Sequence, residues 1–324
     1  MMANEGGSRS VTTEKTITAR VVTMSLLADS ILAIELKRTD GAPLPPATPG
    51  AHIDLHLQNG LIRQYSLTTA DGDPASYIVA VKRDRASRGG SAFVHDHLRV
   101  GDVIEISAPR NNFPLDEDAK CSVLIAGGIG ITPILSMMRR LRENGAAFEL
   151  HYSCRKPTEV VYAAELAASK EINVHLSQEL ATIDLQKIIA QAPPNAHFYC
   201  CGPLPMIEAF EAAASIVDAE RVHVERFSNN AIMATEGGYV VKLERDGRSF
   251  VIPQGQTILS VLREAGLELS FSCEQGICGS CETSVVSGRP DHRDSILTEA
   301  EREASATMMI CCSGSHSDVL VLDL

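Results

Sequence analysis

The chain has 324 residues, 44% apolar and 22% charged, an ordinary globular composition with enough length for two or three domains. Its formal net charge of −12 argues against a nucleic-acid binder, which would carry a basic patch, and no run approaches the roughly 20 apolar residues that span a bilayer. Residues 1–14 are polar and lack an apolar stretch of signal-peptide type, so they are expected to be a disordered lead-in to a cytoplasmic protein.

From Lys15 to about Leu115 the pattern is mostly β. Strands are expected over Thr16–Met24, Ser30–Lys37, His52–Gln58, Tyr77–Lys82 and Asp102–Ser107. Turns at Gly41–Pro49, Asn59–Gly60 and Asp71–Pro74 separate them, and one helix covers Ser91–Leu98. Short alternating strands at this spacing suggest an antiparallel barrel or sandwich, assigned to residues 15–116. Tryptophan is absent and aromatics make up 4% of the chain, so the cores must be aliphatic.

From Ala119 to about Glu225 strand and helix alternate. The expected order is strand Ser122–Ala126, helix Thr132–Asn144, strand Phe148–Ser153, helix Ala163–Ser169 and strand Ile172–Leu176. Helix Asp184–Gln191, strand His197–Cys200 and helix Pro205–Ala214 follow. This is the signature of a doubly wound α/β domain, taken as residues 117–226. Residues 227–238 are polar and glycine-containing and are expected to be a linker. Tyr239–Ile252 reads as a hairpin turning at Asp246–Gly247, and Thr257–Ala265 as a helix, opening a third domain over 239–324.

The third domain carries the most specific signal. Four residues lie between Cys273 and Cys278, two between Cys278 and Cys281, and Cys311 follows at a distance. Three thiolates on one tight loop and a fourth from a distant segment suit a cluster of two irons. Gly276 and Gly279 let the loop wrap closely, so that backbone N–H groups point at sulfur. A zinc site is the alternative, but zinc prefers paired short spacings and only one CxxC is present. Cys312, next to Cys311, is an alternative fourth ligand. The stretch CEQGICGSCETSVVSG with the later MMICCS resembles plant-type ferredoxins, which implies a β-grasp domain with a [2Fe–2S] cluster.

Upstream, Arg63-Gln64-Tyr65-Ser66-Leu67 resembles a motif of ferredoxin-reductase-like flavoproteins, which implies a guanidinium paired with phosphate, a Tyr ring against the flavin and a Ser hydroxyl at flavin N5. Arg88-Gly89-Gly90-Ser91 precedes a helix and offers backbone N–H groups to an anion. Gly127-Gly128-Ile129-Gly130-Ile131-Thr132-Pro133 follows a strand and opens a helix, a placement suited to pyrophosphate, although it is not the GxGxxG fingerprint. Cys201-Gly202-Pro203 and Met206 lie near the end of a later strand. Arg63–Leu67, the loop starting at Gly127 and the loop starting at Cys201 resemble the RxYSL, GGxGxTP and CGP motifs of ferredoxin-reductase-like flavoproteins. That resemblance implies flavin contacts from Val81 and Lys82 and from Phe227 over the ring. It also places Cys201 and Glu225 beside the reacting nicotinamide, with Ser66, Cys201 and Glu225 as the catalytic set. Ser153 and Arg155 are expected at the adenosine ribose, and Arg155 with Lys156 leaves NADPH open.

The order of flavin barrel, nicotinamide domain and C-terminal ferredoxin resembles the phthalate dioxygenase reductase and vanillate O-demethylase reductase family. The resemblance implies FMN, NADH and a [2Fe–2S] cluster. The chain would be a monomeric electron supplier to a separate Rieske oxygenase in aromatic catabolism. A different acceptor, such as a non-aromatic oxygenase or a haem protein, and a passive ferredoxin-like carrier remain the alternatives.

Overall fold

The computed structural model describes residues 16–69, 75–85, 87–167, 170–176, 183–229 and 231–324. The expected lead-in, the turn at Asp71–Pro74 and the end of the Ala163–Ser169 helix lie outside the described residues. The chain divides into two units, 16–228 and 229–324.

The first unit begins with an antiparallel barrel. Its strands are β1 (Ile17–Ala28), β2 (Ile31–Arg38), β3 (His52–His56), β4 (Ile62–Ser66), β5 (Tyr77–Lys82) and, after helix α1 (Gly90–Asp96), β6 (Val103–Ile106). The order is β4-β3-β6-β1-β2-β5, and an antiparallel bridge between Leu67 and Val79 brings the two edges together. Residues of alternate parity, among them Ile34, Leu36, Ile53, Leu55, Val79 and Val81, fill the interior. β1 runs past the expected end at Met24. Its pairing slips between Leu26 and Ala28, and Leu26 faces solvent, so the alternation that marks a strand is broken there.

The α/β part follows as β7 (Cys121–Gly127), α2 (Ile131–Glu143), β8 (Ala147–Cys154), α3 (Ala163–Leu166), β9 (Ile172–Leu176), α4 (Leu185–Gln191), β10 (His197–Cys201), α5 (Leu204–Ala214) and β11 (Val222–Glu225). All neighbours are parallel, in the order β11-β10-β7-β8-β9. The chain winds outward from β7 in both directions, so a crevice opens between β7 and β10 at their C-terminal ends. β11 is an addition to the sequence reading, because Val222–Glu225 is too short to show a period. The cut expected between residues 116 and 117 is not a packing boundary. Ala28, Ile31, Ala80 and Phe113 from the barrel share one apolar core with Leu124, Ile134, Met138, Tyr152 and Tyr199.

The second unit contains β12 (Tyr239–Leu243), β13 (Ser249–Ile252), α6 (Ile258–Glu264), β14 (Glu282–Ser287), β15 (Pro290–Asp291), α7 (Glu299–Ala304), β16 (Thr307–Met309), β17 (Gly314–Ser315) and β18 (Val319–Leu322). The main sheet runs β13-β12-β18-β14-β16, with β12 parallel to β18. The hairpin turns at Asp246–Gly247, where Arg248 N–H donates to the Asp246 carboxylate at 2.9 Å. Thr257 and Ser260 form a reciprocal cap that starts α6. Residues from Asn229 onward pack with this unit and not as a free linker: Ala234 N–H donates to Cys312 O (2.8 Å) and Gly255 N–H to Thr235 O (2.8 Å).

Candidate functional site

The closing seam of the barrel brings the expected flavin residues together. Ser66 is buried opposite His52, and Leu67 N–H donates to Ala51 O at 2.8 Å. Tyr65 lies beside them, half-buried, and burial pushes its phenol up to about 12, so it stays neutral. Across the seam Val81 is buried and Lys82 is exposed. The Val81 carbonyl lies 2.9 Å from Nε2 of His95, a residue of α1 that the sequence does not single out.

Arg63 reaches from β4 to the start of α1, where its guanidinium donates to Ile62 O (2.7 Å) and Arg88 O (3.2 Å). A Cβ on Gly90 would sit 2.6 Å from Arg63 Cγ and Nε. Glycine there is therefore what lets the guanidinium lie across the helix start, beside the backbone of Gly89, Gly90 and Ser91. The Ser91 hydroxyl is turned inward, accepting from Asp84 N–H (3.1 Å) and donating to Ser87 Oγ (3.1 Å). What Ser91 offers an anion is its backbone, not its side chain.

At the crevice the two glycine loops meet. Cys201 pairs with Ala126 on β7 and with Glu225 on β11. A Cβ on Gly127 would meet Met206 Sδ at 2.6 Å and Pro203 Cδ at 2.7 Å, and one on Gly130 would strike the Cys201 carbonyl. The two loops are thus pressed together through Gly127, Gly130 and Gly202, while a Cβ on Gly128 would meet nothing within 4 Å. Thr132 closes the turn, its hydroxyl donating to Ile129 O at 3.0 Å, and Pro133 is buried at the first turn of α2. Ser153 ends β8 opposite Gly127, and Arg155 and Lys156 are exposed just beyond it.

Cys201 and Glu225 lie together at the crevice, with Sγ 4.0 Å from Oε2. Burial raises the Cys201 thiol well above its ordinary value, so it is a thiol and not a thiolate. Part of Glu225 reaches solvent, yet its carboxyl lies deep enough that burial pushes it up to about 8. Phe227 follows β11 and keeps 39% of its surface exposed.

One residue that the sequence reading missed ties crevice to barrel. Arg139 on α2 donates from Nε and Nη2 to Glu165 (2.9 and 2.7 Å) and from Nη1 to Thr68 O (2.6 Å). Its guanidinium also lies 5.0 Å from the Tyr162 ring. Its partners are far away in sequence, so no local motif marks it.

In the second unit all four expected cysteines are buried and gather. Contacts link Cys273 with Cys278 and with Cys311, and Cys281 with Cys311. Gln275 N–H donates to Cys273 Sγ (3.3 Å) and Ser280 N–H to Cys278 Sγ (3.4 Å). Gly276 and Gly279 have φ of 68° and 74°, which lets the loop turn its amides onto sulfur. The neighbouring thiols and then burial raise Cys278 and Cys281 far above the ordinary thiol range. Thiols raised in this way become thiolates beside one another only around strongly cationic metal. Cys312 Sγ turns instead toward Met309 O at 3.7 Å and packs where a Gly276 Cβ would be.

The comparisons agree with this geometry. Residues 241–314 match the 2Fe-2S iron-sulfur cluster binding domain, and residues 124–212 the oxidoreductase NAD-binding domain. The chain is similar to phenoxybenzoate dioxygenase subunit beta of Ectopseudomonas oleovorans, with 47% identity over 95% of this chain and 97% of that one. It is similar to the solved phthalate dioxygenase reductase, described as a modular structure for electron transfer from pyridine nucleotides to [2Fe-2S]. There the TM-score is 0.74 and the identity 38%, over 95% of this chain and 98% of the other. The chain belongs to the phthalate dioxygenase reductase family. It is also similar to an intact type IV self-sufficient cytochrome P450 monooxygenase, with a TM-score of 0.85 and 38% identity over 95% of this chain, but it spans only 41% of that longer protein. As in other members of the phthalate dioxygenase reductase family, this chain is an oxidoreductase with an NAD-binding and a [2Fe–2S] domain.

Proposed function

We propose that the chain is the NADH-dependent reductase component of an oxygenase system. It passes electrons from NADH through FMN to a [2Fe–2S] cluster, and from there to a Rieske-type aromatic oxygenase or O-demethylase. The gathering of Cys273, Cys278, Cys281 and Cys311 in a chain with a nucleotide crevice carries this reading. FMN, when bound, supplies the conversion between a two-electron hydride and single electrons.

The chain's own residues do the positioning. Arg63 and the Gly89–Ser91 backbone hold the flavin phosphate. With FMN bound, Tyr65, Leu67, Val81 and Lys82 would line the ring, the Ser66 hydroxyl would be available to its redox-active nitrogen, and Phe227 would cover it. Gly128, Gly130 and Gly202 cradle the pyrophosphate of NADH, with Ser153 and Arg155 at the ribose. Hydride transfer is a positioning task, and the loops at Gly127 and Cys201 would orient the nicotinamide for it. At pH 7 Cys201 is uncharged and Glu225, with its value near 8, is mostly protonated. A nicotinamide that becomes cationic draws Glu225 toward its ionised form.

An anaerobic NADH titration followed by absorbance and electron spin resonance tests the scheme. Bleaching of the flavin and a signal from a reduced [2Fe–2S] centre are expected. A colourless protein, or a flavin that NADH does not bleach, overturns it. The P450 likeness favours a second reading, in which the final acceptor is haem. Turnover with a Rieske oxygenase against turnover with a haem partner separates the two.

A further inference from the structure

The cluster loop is held from outside by residues that the motif does not include. Asn229, the first residue of the second unit, donates from Nδ2 to Gln275 O at 3.0 Å and to Arg293 O at 2.7 Å, and its Oδ1 accepts from Ala231 N–H at 2.9 Å. The orientation of this amide is decided by its neighbours, since the flipped form would set an oxygen against two carbonyl oxygens. Gln275 lies between the ligands Cys273 and Cys278, and its own N–H points at Cys273 Sγ. The next peptide is held in the same way. Ser295 donates to Gly276 O from its N–H at 2.9 Å and from its hydroxyl at 3.4 Å.

Peptide units are rigid planes, so fixing a carbonyl fixes the N–H on its far side. Asn229 fixes the plane that carries Gly276 N–H. Ser295 fixes the plane that carries Ile277 N–H, which bonds Cys273 sulfur. We infer that Asn229 is a positioning residue for the cluster. By clamping the 275–276 peptide to the segment at Arg293, it holds the stretch of loop between the Gln275 and Ile277 N–H groups that donate to Cys273 sulfur, and so sets cluster retention and reduction potential. Hydrogen bonds to sulfur are a recognised control of that potential, and outer partners of metal ligands typically govern affinity.

This inference rests on the four cysteines being cluster ligands. Iron content and spectrum of the unaltered full-length protein test that first, and absence of iron there overturns the ligand reading itself. With iron present, Asn229→Ala is expected to speed iron loss to a chelator about 10–100-fold, the usual cost of removing an outer partner. It should also shift the electron spin resonance g-values and lower the reduction potential, while NADH still bleaches the flavin at the unaltered rate. Asn229→Leu, which restores volume but no donor, should not rescue. Asn229→Asp, which sets oxygens against both carbonyls, should lose iron at least as fast as the alanine variant. Unaltered g-values, potential and iron release in Asn229→Ala, or full rescue by leucine, overturn the proposal.

Discussion

At the scale of single residues the chemistry turns on where each polar atom is directed. Cys311 and Cys312 are adjacent and both buried, yet Cys311 touches Cys273 and Cys281 whereas Cys312 Sγ turns toward Met309 O. Cys273→Ser should therefore abolish one-electron output to cytochrome c while hydride transfer to flavin continues. Cys312→Ser should keep the red-brown spectrum, since its hydroxyl can donate to Met309 O as the thiol does. Equal loss of colour in the two variants would contradict the assignment. Glu225 makes a second test possible. Its folded value of about 8 lies above the ordinary 4.5, so below 4.5 the carboxyl is protonated whether folded or not. Between 4.5 and 8 the unfolded chain releases a proton that the folded chain retains, so stability falls as pH rises through that window and levels off above it. Urea unfolding at pH 5, 7 and 8.5 should show this decline in the unaltered protein, and Glu225→Gln should remove its share.

At the scale of elements, the site is assembled by contacts between segments distant in sequence. Helix α2 was legible from its apolar spacing, and so was the glycine loop before it. Its role as a brace was not, because Arg139 on its outer face looks like any solvated arginine until α3 and Thr68 are folded beside it. The guanidinium makes charged hydrogen bonds to Glu165 and donates to Thr68 O, two residues past Ser66. Arg139→Ala should cost about 1–3 kcal/mol of stability, the range for hydrogen bonds to charged groups in a partly buried setting. It should also loosen flavin retention, and calorimetry together with flavin loss on gel filtration reads both. Lowered stability with tight flavin would restrict Arg139 to a structural role. The flavin motif itself was visible as RQYSL, but its seam was not: the Leu67–Val79 bridge and the His95 contact to Val81 depend on barrel closure.

At the scale of the whole molecule, the barrel, the α/β sheet and the C-terminal ferredoxin-like part expected from the sequence group into two compact units. Barrel and α/β sheet share a core around Ile31, Phe113 and Met138, while the polar stretch after Asn229 folds onto the cluster-binding unit. A fragment of residues 229–324 should accordingly retain a reconstituted cluster, and one of residues 239–324 should lose it. The shorter piece lacks the Asn229 clamp and the Ala234 bond to Cys312 O. Iron content after desalting decides between them, and equal retention would restore the linker reading.

Much was determined by sequence alone, because it depends on local spacing and on residue type. The three closely spaced cysteines with their intervening glycines, the strand–glycine–helix turn at Gly127 and the alternation of the barrel strands all act over a few residues, where covalent geometry and periodicity are sufficient. Tertiary structure alone decided which of two adjacent cysteines meets the other buried thiols and that the Glu225 carboxyl lies beside Cys201. It also decided that Ser91 offers only its backbone, and that Arg139 and Asn229 act as clamps. Each of these depends on the direction of a side chain or on a partner tens of residues away. Directions and distant partners exist only once the chain has closed on itself.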